Sequence, residues 1–260
     1  MTLFSSANSV VRTRDGQRQD ILSVMLMLAP ALSSGKNLCP YASKGCADAC
    51  LYYSGRGAMP LTQQARLART QKFLDDREAF TAQLSDEIDS LTIKANRIGM
   101  KTGTTPTVAV RLNGTSDILW EKQSFDRIGS RWANLMELHP DVQFYDYTKI
   151  PRRMLFNPLP NYHLTFSLSE VNDTHALAEL EEGRNVAVVM RYDTLPTTWS
   201  GFPVVYGDES DYRFLDPVGG HIVALRANGR ALKDTTGFAR DVDDVLDPSR
   251  TFVPFTKAMR

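Results

Sequence analysis

Cys39-Pro-Tyr-Ala-Ser-Lys-Gly-Cys46-Ala-Asp-Ala-Cys50 gathers all three cysteines of the chain into twelve residues. An odd number of thiols cannot pair off into disulfides within one chain. Three thiolates in one loop, with no fourth ligand beside them, fit a four-iron, four-sulfur [4Fe-4S] cluster whose remaining iron is open. An open iron binds a substrate, a cofactor or an exogenous ligand. Zinc is the alternative. It takes four tight ligands, so a histidine such as His163 or His221 would have to reach the loop. The Cys-x6-Cys-x3-Cys spacing also differs from the paired Cys-x2-Cys of zinc knuckles. Unmetallated structural thiols are the remaining alternative, behind zinc. Lys36, Lys44 and Arg56 lie near the loop in sequence and would offset the charge of a cluster.

A second set of polar residues closes a series of apolar runs: Arg111, Asn113, Thr115, Ser116 and Asp117, then Asp146 and Lys149, then Glu170, then Arg191. If the runs are parallel strands, these residues share one rim, where α/β folds build their sites. They are cavity candidates. The structural alternatives are ordinary ones: Ser116 or Asp117 as a helix N-cap, and Asp146 with Lys149 as an ion pair. Asp208, Glu209, Asp211 and Asp216 offer oxygen ligands for a divalent cation, but without calcium-loop spacing, so a solvated acidic turn is the simpler reading. Arg66, Arg69, Lys72 and Arg77 read either as a phosphate-facing stripe or as a solvated helix face. No nucleotide-binding glycine loop, nucleophile elbow or His-Glu-x-x-His word occurs.

The elements that must position these groups follow from periodicity. Residues 1–20 are polar and read as a flexible or loosely docked N-terminal arm. The apolar run 21–30 reads as a buried strand and delivers the cysteine loop, 37–57. Residues 61–98 carry Leu67, Phe73, Phe80, Leu84, Ile88 and Leu91 at helical spacing. A break near 75–77 divides them into two helices. Six further β-branched runs follow, at 106–112, 142–147, 162–168, 185–191, 202–206 and 221–226. Near-continuous apolar runs suit strands of a parallel sheet buried on both faces. Residues 118–138 read as a helix, as do 174–182, with Asp173 as N-cap and Gly183 as the stop. Seven strands alternating with helices predict an α/β fold of the (β/α)-barrel, TIM-barrel-like kind. The connections 192–201 and 208–220 are too short for full helices, so the barrel is expected to be irregular or incomplete. An open doubly wound sheet is the alternative. Residues 21–260 are expected to form one domain.

Composition narrows the function classes. The 260 residues carry 30 basic and 30 acidic side chains, which gives no broad electrostatic basis for binding nucleic acid. The run 21–30 is too short to span a bilayer and ends at Pro30. It also starts too late, behind mixed charges, for a signal peptide. Clustered, odd-numbered thiols suit a reducing cytoplasm.

Six words in order resemble one family: Asn37-Leu-Cys39-Pro, Cys46-Ala-Asp-Ala-Cys50, Arg111-Leu-Asn-Gly-Thr-Ser-Asp117, Phe144-Tyr-Asp-Tyr-Thr-Lys149, Tyr162-His-Leu-Thr-Phe-Ser167 and Arg213-Phe-Leu-Asp-Pro217. They look like the phage gene product 88 family, across about residues 20–240. The resemblance implies a viral or prophage origin and action in the bacterial cytoplasm during infection. It supplies no activity. A wider similarity is to radical S-adenosylmethionine enzymes, which place a three-cysteine cluster after the first strand of a partial (β/α) barrel. This chain departs from their Cys-x3-Cys-x2-Cys spacing and lacks a Gly-Gly-Glu word, so no motif supports S-adenosylmethionine as cofactor. Three expectations result. The first is an iron–sulfur protein doing redox or Lewis-acid chemistry on an unknown small molecule at the open iron. The second is a structural zinc module that binds nucleic acid or a protein partner. The third is an atypical radical enzyme.

Overall fold

All seven apolar runs form strands. In the computed structural model, which describes residues 2–12, 18–157 and 159–251, they are β2 (Arg18–Leu26), β3 (Thr107–Arg111), β6 (Gln143–Thr148), β7 (Tyr162–Ser167), β8 (Val186–Arg191), β10 (Phe202–Tyr206) and β11 (Ile222–Arg226). They lie parallel in the order β2-β3-β6-β7-β8-β11-β10. Three flanking strands complete a ten-stranded sheet: β1 (Phe4–Arg12) and the short β9 (Thr198–Trp199) run antiparallel at its ends, and the short β12 (Arg240–Asp241) pairs with β8. Among the described residues no pairing joins the two ends, so the sheet is not a closed TIM barrel. Its irregularity lies at β11, which enters between β8 and β10 and breaks the sequential strand order.

Alternation along the strands creates two faces. The outer face of β2, β3 and β6 carries Leu22, Val24, Val108, Val110 and Phe144. Against it lie α2 (Pro60–Asp75) and α3 (Arg77–Thr102), which meet at the break expected near 75–77. Pro60 opens α2, where its missing N–H costs nothing. Asp76 caps α3 by accepting the amide of Ala79. Phe73 stacks at 5.4 Å on both Phe80 and Trp120. All three rings are almost wholly buried, and each buried ring of this kind contributes about 1.5–3 kcal/mol. A second outer core joins β8 and β11 to α5 (Asp173–Glu181) through Val186, Val188, Ile222, Ala176 and Leu180. On the inner face Ile21, Ala109 and Tyr145 meet Tyr212, with Phe214 beside them, so the connection after β10 fills the inside of the sheet.

Four expectations need correction. The arm 1–20 contains a strand: β1 pairs with β2 over its full length, and the Leu3 amide is held by Glu87 of α3 at 2.8 Å. Strand β2 starts before the apolar run and ends at Leu26. Residues beyond it are tied to α2 by side chains, with Arg69 donating to the Met27 carbonyl and Thr70 accepting the Ala29 amide. Residues 118–138 are not one helix. They form the hairpin β4 (Phe125–Arg127) and β5 (Ser130–Trp132), followed by the short helix α4 (Leu135–Leu138). Ile128 and Gly129 turn the hairpin with φ of 53° and 72°, the left-handed pair that a two-residue turn of this hand needs and a helix excludes. Finally, Asn172 rather than Asp173 precedes α5, and Asp173 is fully buried against Arg240 at 2.5 Å. Gly183 ends that helix with φ 77° as expected.

No helix among the described residues is long and apolar enough to cross a membrane.

Candidate functional site

The cysteine loop leaves the end of β2 and is built by short-range bonds. Asn37 accepts the Cys39 amide at 2.9 Å, a side-chain turn that sets the first thiol. Ser43 caps the short helix α1 (Lys44–Asp48) by accepting the Cys46 amide at 3.1 Å. The same hydroxyl donates to Glu170 Oε2 at 2.6 Å, and the Gly45 amide donates to Glu170 Oε1 at 2.6 Å. Only glycine fits at position 45: a Cβ there would sit 2.1 Å from Thr236 Oγ1 and 2.7 Å from Phe238 Cβ. Ala49, Ala227, Ala231, Phe238 and Ala239 form the apolar bed of this segment, with Cys46 packed on it.

The facing wall is the segment after β3. Gly114 donates its amide to the Leu26 carbonyl, Thr115 donates its hydroxyl to the Leu28 carbonyl, and Asp117 donates its amide to the Leu38 carbonyl at 2.9 Å. These bonds fasten the segment to the exit of β2 and to the cysteine loop. Asn113 organises its interior. Its Oδ1 accepts from Ser116 Oγ, the Ile118 amide and Trp120 Nε1. Its own amide donates to Asp146 Oδ1 at 2.6 Å.

Behind this wall lies a buried charge network that sequence patterning did not reveal. Arg153 donates to Asp117 at 2.9 Å, to Glu121 at 2.8 Å and to Tyr162 Oη at 2.9 Å. Burial pulls the Arg153 pKa down, but Tyr162, Asp117 and Glu121 more than compensate and the net shift is upward. Asp117 also accepts from Thr148 Oγ1 and the Lys149 amide, yet burial still raises its pKa. Asp146 is pushed up to about 7 by burial, against the Asn113 amide and the field of Arg153.

The two walls enclose a cavity of about 350 Å³ at the carboxyl ends of the parallel strands. Cys39, Cys46 and Cys50 all line it. So do the predicted residues Arg111, Asn113, Thr115, Ser116, Asp117 and Lys149. Three predicted residues do not. Asp146 points to the helix side of β6 and bonds Asn113 and Tyr162. Glu170 holds the start of α1. Arg191 pairs with Asp241 at 2.7 Å, away from the cavity. Strand alternation explains Asp146, since it shares a face with the core residue Phe144 while Tyr145 and Tyr147 turn inward. The lining includes further residues at or just beyond the same strand ends, Tyr147, Ser167, Arg226 and Asn228, together with Phe238 from the segment before β12.

The acidic run does not gather around one point. Asp211 pairs with Arg111 at 2.7 Å, Asp208 accepts the Arg226 amide, and Asp216 pairs with Arg213. The basic stripe does not face solvent as a unit. Arg66 is buried over the Tyr52 ring at 5.6 Å, Arg69 bonds the Met27 carbonyl, Lys72 bonds Gln83, and Arg77 lies over Phe73. His221 sits immediately before β11 and His163 near the start of β7, at the rim opposite the cysteines. Ser85, His139 and Asp89 form a serine–histidine–aspartate chain, with Ser85 Oγ 2.7 Å from His139 Nε2. Ser85 is fully buried in α3, so no substrate reaches it.

Two of the three thiols are held protonated by their surroundings. Burial pushes Cys39 up to about 12, opposed by the Ala31 amide and reinforced by Cys46, Asp117 and Cys50. Burial likewise pushes Cys50 up to about 11, opposed by the Tyr52 amide and by Lys149 and Arg66, with Cys46 adding to the rise. Such thiols stay protonated unless a metal centre displaces the proton. Lys44 is paired with Asp48, and Lys36 and Arg56 are exposed. The cations whose fields reach Cys50 are therefore Lys149 and Arg66 rather than the three basic residues nearest in sequence. Among the described residues, no three His, Cys, Asp or Glu side chains converge closely enough to hold one ion.

A mostly parallel α/β sheet with a thiol-lined cavity at its carboxyl rim defines the class of protein. The family model described as Gene product 88 matches residues 2–242, and the chain belongs to that phage family. No curated protein and no solved structure matches it.

Proposed function

We propose that this chain is an iron–sulfur protein in which Cys39, Cys46 and Cys50 hold a [4Fe-4S] cluster whose open iron faces the cavity. The observation that carries the reading is the convergence of all three thiols on one cavity, which Arg111, Asp117 and Lys149 also line. The donor set supports a cluster over a single zinc. Each thiolate of a cluster binds its own iron, so the sulfurs need not meet at one point, whereas zinc requires four ligands at about 2.0–2.3 Å. When bound, the cluster supplies a redox-active and Lewis-acidic iron at the cavity wall. The protein's own residues do the rest. Glu170 and Ser43 fix the helical turn that carries Cys46. Arg66 and Lys149 place positive charge beside Cys50. The 113–117 segment closes the opposite wall. The inner-face side chains of the strands frame this one cavity, which supports a partial (β/α) barrel as the finer architecture. The phage family supports the bacterial cytoplasm as its place of action.

The test is anaerobic purification with iron, sulfide and zinc analysis and an absorption spectrum before and after dithionite. About four irons and four sulfides per chain, with a band near ~400 nm that bleaches, are expected. Cys39→Ala, Cys46→Ala and Cys50→Ala should each lose the band. About one zinc per chain and no colour would overturn the reading.

A further inference from the structure

We propose that the cavity wall formed by the ends of β3, β6 and β7 binds the carboxylate or phosphate group of a small anionic ligand, with Lys149, Tyr147 and Arg111 as donors. This deepens the function above and rests on that cavity as the ligand site. It does not require the thiols to be metallated.

Donors on this wall outnumber acceptors. Lys149 carries three N–H donors, and one is used, on Ser167 Oγ at 2.7 Å. The Phe238 ring lies 5.6 Å from the same ammonium and walls one side of it. Tyr147 Oη and Arg111 Nε are both buried without a hydrogen-bond partner. The Arg111 guanidinium rests 4.6 Å over the Tyr147 ring, which holds these two donors together. Arg111 ends β3, Tyr147 and Lys149 lie at the end of β6, and the two strands are neighbours in the sheet, so the three donor residues end side by side.

The nearby carboxylates each already hold a partner, Asp208 the Arg226 amide. Asp117 is taken by Arg153, Thr148 and the Lys149 amide. Asp146 is taken by Asn113 and Tyr162. Asp211 holds one nitrogen of Arg111, and its Nε remains open. Buried donors without partners are costly, and an acceptor-rich anion satisfies them together. A neutral ligand leaves the Lys149 charge uncompensated, and a cationic one is repelled by it. A cavity of about 350 Å³ has room for a small molecule.

The test titrates the full chain, at fixed ionic strength, with inorganic phosphate and with oxalate, and reads heat and melting temperature. Saturable binding of at least one probe is expected. Preference for phosphate identifies a phosphate ligand, and preference for oxalate a carboxylate. Lys149→Gln should weaken binding at least tenfold, Tyr147→Phe should weaken it by a smaller factor, and Lys36→Gln should leave it unchanged. No saturable binding of either probe, or equal binding by wild type and Lys149→Gln, would overturn the proposal. If Lys149→Gln does not fold, unchanged affinity in Tyr147→Phe overturns it alone. Iron and sulfide are measured on the same samples. Anion binding without iron removes only the cluster reading, and a cluster without anion binding removes only this one.

Discussion

Glu170 holds the backbone amide of Gly45 at 2.6 Å, across 125 positions of sequence. The carboxylate follows β7, and the amide lies between two of the three thiols. The geometry of the cysteine loop is therefore set from the end of β7 as well as from within the loop.

Glu170→Ala removes two charge-assisted acceptors, each worth about 1.5–3 kcal/mol. The expected result is a lower melting temperature and less iron per chain after anaerobic purification. Glu170→Gln should fall between, since one amide oxygen still accepts. Gly45→Ala should impair loading at least as strongly, because its Cβ would collide with Thr236 and Phe238. Metal analysis and thermal melting on the three variants check this.

Arg153→Met leaves Asp117 and Glu121 without their buried counterion. Breaking a buried pair from one side costs about 3–5 kcal/mol. Urea unfolding should show that loss, with a lower midpoint and an unchanged slope. Arg153→Lys keeps the charge but not the fork that reaches Asp117, Glu121 and Tyr162 together. It should lose less, though measurably.

His163 gives the fold an acid-sensitive window. Burial, and then the positive field of Arg213, lower its pKa from 6.5 to about 4. Below the unfolded value the unfolded chain binds the proton more readily, so stability falls as pH drops from 6.5 towards 4. The full effect is about 3 kcal/mol. Urea unfolding at several pH values should show this slope in the wild type. It should be flatter in His163→Gln.

Arg66 stacks over the Tyr52 ring, and its charge favours the Cys50 thiolate. Arg66→Gln should make the midpoint potential of the proposed cluster more negative. Lys44→Gln should not, because that side chain is exposed and neutralised by Asp48. Anaerobic redox titration of both variants decides between the buried and the exposed cation.

Much of the frame was legible in the sequence, because the parallel strands that position the site are apolar on both faces. The Asp75–Arg77 break was legible for a similar local reason, since Asp76 is a helix cap. Residues 118–138 misled because Phe125, Trp132, Leu135 and Leu138 have helical spacing while belonging to a hairpin and a separate short helix. The only local cue was Ile128-Gly129. The cysteines and the Arg111–Asp117 word were visible as chemistry-bearing groups. The roles of Glu170, Asp146 and Arg153 were not, because each depends on a partner brought close only by the fold. Glu170 and Asp146 looked like cavity acids, yet one clamps a helix start and the other anchors a loop from the opposite face.

The position of β11 has a consequence for how the chain reaches this state. Strand β11 is later in the chain than either of its neighbours, β8 and β10, yet it lies between them. During synthesis β8 and β10 exist before the strand that joins them. Each then presents an unpaired edge, the kind that invites pairing with other chains. Assembly of this half of the sheet waits for Ile222–Arg226 to emerge, and a chain halted before that segment carries two open edges in place of one continuous sheet.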